Sequence, residues 1–334
     1  MKIDLAAHIL PPHYLKERNK RAGKSFKTQY AKYPSANPGL TDLDIRFRIM
    51  DKFDGLVQVL SIAGPNVESI TEPEDTVELA RIANDEMAEL IQRYPDRFAG
   101  AIACLPMNDV DAALKEADRA VGQLRFRAVE IFTDINGKPV DSIEFMPLFE
   151  KMQNYNLPIF LHPRKVNTVA DYPGETVSKY LIYTNFGWPF ETSKAMARLA
   201  FGGVFDRCPD LKVITHHAGG MIPFFSKRID LSWDFNEMRM GYRPERPLRQ
   251  APIDYYRMFF CDTAIQGNTP ALMCAYDFFG VEHMLFATDA PYDSQFGERV
   301  YRETISAIEE MPIPDTEKKK IFEDNARRLL RLPI

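Results

Sequence analysis

The chain has 334 residues, of which 45% are hydrophobic and 27% charged, and a formal net charge of −5. A chain of this length buries most of its apolar surface without disulfides; it is long for an average domain and ordinary for a single α/β barrel. The acidic balance and the lack of a basic run argue against nucleic acid and anionic membranes as partners.

Strand and helix patterns alternate from end to end. A first strand covers residues 1–5, and its extension meets His8. A helix over 41–54 leads to a second strand at 56–61. The helix over 74–93 puts Leu79, Ala83, Met87 and Leu90 on one face. A strand at 98–103 is followed by a helix at 109–121, a strand at 128–132 and a helix at 143–154. Strands at 159–161 and 212–215 flank a helix over 189–206. Strands at 258–262 and 283–288 come next, and helices at 297–310 and 315–330 close the chain. Strands this apolar on both faces suit a parallel sheet covered by helices. Eight of them, alternating with helices, predict one (β/α)8 TIM barrel over 1–334, with an insertion after strand 1 and extra C-terminal helices.

Cys104, Cys208, Cys261 and Cys274 are widely spaced, without a CxxC pair, and read as thiols of a reducing compartment. Met1 runs directly into a strand with no signal-like segment, and no apolar run approaches the ~20 residues that span a bilayer. A cytoplasmic protein is expected. Two irregular stretches follow strands and are expected over the barrel mouth as lids or binding loops. Residues 10–40 carry four prolines with Tyr30 and Tyr33; residues 163–188 carry Arg164, Lys165, Asp171, Tyr172, Pro173 and Trp188.

The chemistry lies at the strand ends. His8, His162, the pair His216 and His217, and Asp289 each close a different apolar run. Imidazoles and a carboxylate at the C-terminal ends of barrel strands converge on one mouth and suit a catalytic divalent metal. Each has a plainer reading when taken singly: His8 as a surface or capping residue, His162 as a satisfied buried histidine, Asp289 as an N-cap, Trp188 as a core residue. Alternation along a strand directs His216 and His217 to opposite faces, so only one is expected at the mouth.

Five segments occur in a telling order: IDLAAHILP at 3–11, LHP at 161–163, GWPFET at 187–192, HAGGMIP at 217–223 and ATDAPY at 287–292. In these the chain resembles the amidohydrolase-2 family, nearest the branch of α-amino-β-carboxymuconate-ε-semialdehyde decarboxylase, with γ-resorcylate decarboxylase and the meta-cleavage-product hydrolases close by. The resemblance implies His8, His162 and Asp289 as metal ligands and His217 as general acid/base. It implies Arg46, in RFRIMD at 46–51, as a contact to a substrate carboxylate. Ala6 stands where the family carries a first His or Glu ligand. One divalent ion, Zn²⁺ or Mn²⁺, is therefore expected, held more weakly than in relatives. His217 is expected at the mouth and His216 in the layer between barrel and helices.

The function this implies is non-oxidative decarboxylation of a small aromatic or dienoic carboxylate. Arg46 or Arg164 would orient a carboxylate, and Trp188 would stack on a planar substrate. A hydrolase using the same fold and metal, with Asp289 or His217 handling the proton, is the second reading. A metal-poor, non-catalytic barrel is the third, favoured by Ala6. A homodimer or homotetramer is implied by the resemblance alone.

Overall fold

The computed structural model describes residues 1–23, 26 and 33–332, apart from the Tyr33 side chain. Tyr30 and the Tyr33 side chain, expected over the mouth, lie outside the described residues.

Eight parallel strands pair in sequence order: β1 (Lys2–Ile9), β2 (Leu56–Ile62), β3 (Phe98–Cys104), β4 (Ala128–Phe132), β5 (Ile159–His162), β6 (Val213–Thr215), β7 (Phe260–Asp262) and β8 (Met284–Leu285). The helices that follow them in turn are α1 (Leu43–Met50), α2 (Pro73–Arg93), α3 (Val110–Gly122), α4 (Met146–Tyr155), α5 (Trp188–Phe201), α6 (Ile222–Met238), α7 (Thr269–Phe279) and α8 (Glu298–Glu309). The ring closes between the segment that continues β8 and β1. Leu5 N donates to Phe286 O at 3.1 Å and His8 N to Ala290 O at 2.8 Å. Asp4 cross-links the seam: its Oδ1 accepts from Thr288 N (3.0 Å), and its Oδ2 accepts from Thr288 Oγ1 (2.8 Å) and from Tyr301 of α8 (2.7 Å). This is the expected (β/α)8 barrel.

The interior is solid. Ile3, Leu5, Val59, Ile102, Phe160, Ile214, Phe260 and Leu285 fill it, and Ala326, Leu329 and Leu330 of the C-terminal helix pack beneath them. The opposite end, where the strands finish, is left for chemistry. Side-chain caps start the surrounding helices. Asp42 Oδ1 accepts from Asp44 N (2.9 Å) and Ile45 N (3.0 Å) before α1, and Asp109 Oδ1 from Ala112 N (2.9 Å) before α3.

Several boundaries differ from the sequence reading. The last strand is regular only at Met284–Leu285, because Thr263 Oγ1 replaces the next ladder bonds, accepting from Ala287 N and donating to Ala287 O, both at 3.0 Å. The helix expected over 189–206 breaks at Gly203, whose φ of +86° is left-handed, and resumes over Val204–Arg207. The closing segment is helical over Asp315–Lys319 and Asn325–Leu330, with a π-helical turn at Lys320–Asp324 between them. The sequence reading gives no range for α6, α7, Pro12–Arg21 or Pro252–Arg257. In α6 only Ile222 and Pro223 are buried, so no periodic core face marks it. Pro12–Arg21 hid behind a proline pair that in fact opens it. Among the described residues no helix is long and apolar enough to cross a membrane, and all four cysteines are free thiols.

Candidate active site

His8 is next to last in β1, His162 ends β5 and Asp289 follows β8, so the barrel brings residues from the two ends of the chain together. One ligand atom from each of the three lies within 4.8 Å of the other two, and all three are buried. His8 Nε2 stands 3.0 Å from Asp289 Oδ1. The other edge of each ring is held. His8 Nδ1 is 3.0 Å from Ser61 Oγ. His162 Nδ1 donates to Pro163 O at 2.8 Å, which leaves Nε2 as the bare, ligating nitrogen of a neutral imidazole.

The charges follow from this geometry. Burial alone raises an Asp pKa, but the adjacent imidazoles of His217 and His8 overcome it and hold Asp289 far below the usual carboxylate range. Burial opposes a charge on His8 and on His217; in both the nearby Asp289 carboxylate prevails, and the pKa is raised. His162 is pushed well below its ordinary value by burial and by its neighbours His216 and His8. Two imidazole nitrogens and an ionised carboxylate, with rings already oriented, fit a divalent cation.

His217 Nε2 lies 3.9 Å from Asp289 Oδ2, and its ring stacks on Trp188 with centroids 6.2 Å apart. Trp188 Nε1 donates to Lys165 O at 3.1 Å, which fixes the indole. Above the triad opens a cavity of about 700 Å³ lined by Phe132, His162, Arg164, Lys165, Trp188, His217, Gln266, Asp289 and Tyr292. The loop over 163–188 thus contributes to the mouth, as expected. Within it Asp171 accepts from Ser178 Oγ and Lys179 N, both at 2.8 Å. Arg164 reaches the cavity with its guanidinium 3.4 Å from Asp134 Oδ2.

Two expectations are corrected. Arg46 is buried but turns away from the cavity. Its guanidinium donates to Gln58 Oε1 (2.8 Å), Gly39 O (3.0 Å) and His8 O. A helix position fixes which layer a side chain enters, and here β1 and β2 offer it carbonyl and amide oxygens before any substrate does. Arg48 is exposed, as its place on the helix requires. His216 does not enter the barrel–helix layer. Its ring lies 4.7 Å from that of His162 and 5.9 Å from Phe160, and its Nδ1 is 3.2 Å from Asp262 Oδ2. The alternation rule fails because the strand ends at Thr215 and His217 takes a φ of +58°, which lets both rings face inward. Gly219 and Gly220 continue the turn at φ +79° and +62°; a Cβ on Gly219 would stand 2.6 Å from the Phe279 ring.

Ala6 is buried in the barrel interior with Val59, Phe160 and Ala287. Residues that the sequence reading did not single out also belong here. Tyr292 has its ring 5.3 Å from that of His8. Glu130 is a buried carboxyl on β4 whose pKa burial raises to about 7. Its signal was a charge inside the apolar run AVEIF.

A protein-family model described as amidohydrolase matches residues 3–332. The chain belongs to this amidohydrolase family. It is 30% identical over 310 residues to gamma-resorcylate decarboxylase of Polaromonas sp., covering 90% of this chain and 91% of the relative. It is 28% identical over 345 residues to 2-amino-3-carboxymuconate-6-semialdehyde decarboxylase of Dictyostelium discoideum, covering 99% and 92%. The crystal structure of dihydroxybenzoic acid decarboxylase from Polaromonas sp., with bound manganese and the inhibitor 2-nitroresorcinol, superposes with a TM-score of 0.79 at 27% identity, covering 99% of this chain and 96% of that one.

Proposed function

We propose that this amidohydrolase is a metal-dependent, non-oxidative decarboxylase of a small aromatic carboxylate. The observation that carries the reading is the convergence of His8, His162 and Asp289 beneath an aromatic-lined cavity, with His217 beside Asp289. The decarboxylases among its relatives support it over hydrolysis.

His8, His162 and Asp289 would hold the ion. A divalent cation there supplies Lewis-acid charge for the substrate's oxygens. Manganese is the better expectation than zinc, since a mixed imidazole–carboxylate set tolerates it and the Polaromonas structure contains it. Ala6 offers no donor, so β1 contributes His8 alone.

The reaction breaks the bond between the ring carbon and the carboxylate. The electron pair stays on the ring carbon, CO₂ leaves and a proton takes its place. His217 suits the donor role: the Asp289 carboxylate beside it raises its pKa and so favours the protonated ring, while Asp289 itself stays ionised. Trp188 and Phe132 would flank the planar ring, and Arg164 would meet an oxygen at its edge. A panel of hydroxybenzoates, assayed for CO₂ with manganese-loaded and chelator-stripped protein, tests this; CO₂ release unaffected by chelation would contradict it.

The thiols fit a cytoplasmic site of action. Phe224, Leu231, Phe235 and Met238 form an exposed stripe on α6 and support a homodimer or homotetramer built on that helix. Sedimentation as a monomer at micromolar concentration would contradict it.

A further inference from the structure

Strand β4 sends alternate residues into the barrel. Ala128 joins the packed interior. Phe132 lines the cavity, its ring 4.9 Å from that of His162. Glu130 lies between them and must point the same way. It is 6% exposed, and its Oε1 has no hydrogen-bond partner. Among the described residues no lysine or arginine pairs with it. The charges it interacts with are His8, Glu68 and Asp289.

A carboxylate buried without a partner is unfavourable unless something binds it. In the same interior, β1 presents His8 and the methyl group of Ala6, which can donate nothing. One strand lacks a donor, and another carries a carboxylate with no occupant.

We infer that Glu130 is the fourth protein ligand of the divalent ion, supplying from β4 the donor that β1 lacks at Ala6. This rests on the metal reading proposed above. Glu130 stands outside the triad whose atoms lie within 4.8 Å, so ligation requires its side chain to rotate toward His8. A carboxylate in this place is a hard oxygen donor, which suits manganese. It would also neutralise part of the cation's charge without drawing on Asp289, whose second oxygen faces His217.

The test is manganese titration of the stripped full-length chain by equilibrium dialysis, with wild type, Glu130→Gln, Asp289→Asn and the double variant Ala6→Glu/Glu130→Gln. Wild type should bind one ion per chain. Glu130→Gln should weaken binding at least ~10-fold, and the double variant should recover most of that loss. The visible spectrum of cobalt-loaded protein should change on Glu130→Gln, a signature that a merely structural carboxyl would not give. Wild-type affinity in Glu130→Gln, with an unchanged cobalt spectrum, overturns the inference and leaves the metal reading standing, provided that Asp289→Asn loses the ion. A wild-type chain that takes up neither manganese nor zinc overturns the metal reading, and this inference with it.

Discussion

The Nε2 atom of His8 and the Oδ1 atom of Asp289 lie 3.0 Å apart, joining the first strand of the barrel to the loop after the last. Each sets the other's protonation state: the imidazole keeps the carboxylate ionised, and the carboxylate raises the imidazole's pKa. A cation held by both would stabilise the same ionised carboxylate.

Asp289→Asn should therefore reduce manganese affinity by ~100-fold or more and abolish turnover. It should also lower the pKa values of His8 and His217, because it removes the carboxylate that raises both. In the wild type, metal affinity should fall as the pH drops through the raised pKa of His8, since a protonated ring cannot ligate. Titration of the histidine ring signals by NMR, with and without the substitution, checks the shift.

His217→Asn should cut kcat by ~10²–10⁴-fold with metal content intact, the usual range for loss of a general acid. His216 differs. It touches the His162 ring and Asp262 rather than the cavity, so His216→Asn should weaken metal binding by about 10-fold through a displaced His162. Metal analysis beside steady-state kinetics separates the two. Retained turnover in His217→Asn would contradict the assignment.

Arg46 holds the carbonyl oxygens of His8 and Gly39 and the amide of Gln58. Arg46→Ala orphans these acceptors and should destabilise the fold by on the order of 3 kcal/mol. Wherever the variant stays folded, KM should be close to that of the wild type. Denaturant unfolding and kinetics check the pair; a large rise in KM with unchanged stability would return Arg46 to the substrate.

Metal-free protein should show the burial of Glu130 in its pH dependence. Its carboxyl titrates near 4.5 when unfolded and at about 7 when folded. The folded state therefore keeps a proton that the unfolded state releases, and stability falls as pH rises from about 4.5 to about 7. Above that range the full penalty remains, on the order of 3 kcal/mol. Glu130→Gln should melt at a higher temperature than wild type at pH 8, with the gap closing toward pH 5, as differential scanning calorimetry of stripped samples would show. An equal or lower melting temperature at pH 8 would contradict the burial of an unpaired carboxyl.

The barrel was legible because its strands are short apolar runs at regular intervals, and the triad because imidazole and carboxylate are conspicuous at their ends. What escaped was set by local backbone and by competition among acceptors. His216 was misplaced because strand alternation was extended one residue beyond Thr215, into a turn where His217 is left-handed. Arg46 was misplaced because helical phase says nothing of whether a guanidinium meets ligand or backbone. Glu130 was overlooked inside AVEIF although the period-2 pattern already placed a charge among inward-facing apolar neighbours. The extent of helix α6 was not legible because its apolar residues face outward.

The most direct test of decarboxylation at this site is one turnover experiment in isotopically labelled water. Manganese-loaded protein, incubated in D₂O with a 2,6-dihydroxybenzoate-type acid that it consumes, should release one CO₂ per substrate. One deuterium should appear on the carbon that lost the carboxylate, and none of this should occur in the Asp289→Asn variant. A product that carries oxygen from ¹⁸O-labelled water, formed without CO₂, would contradict the account and make the protein a hydrolase.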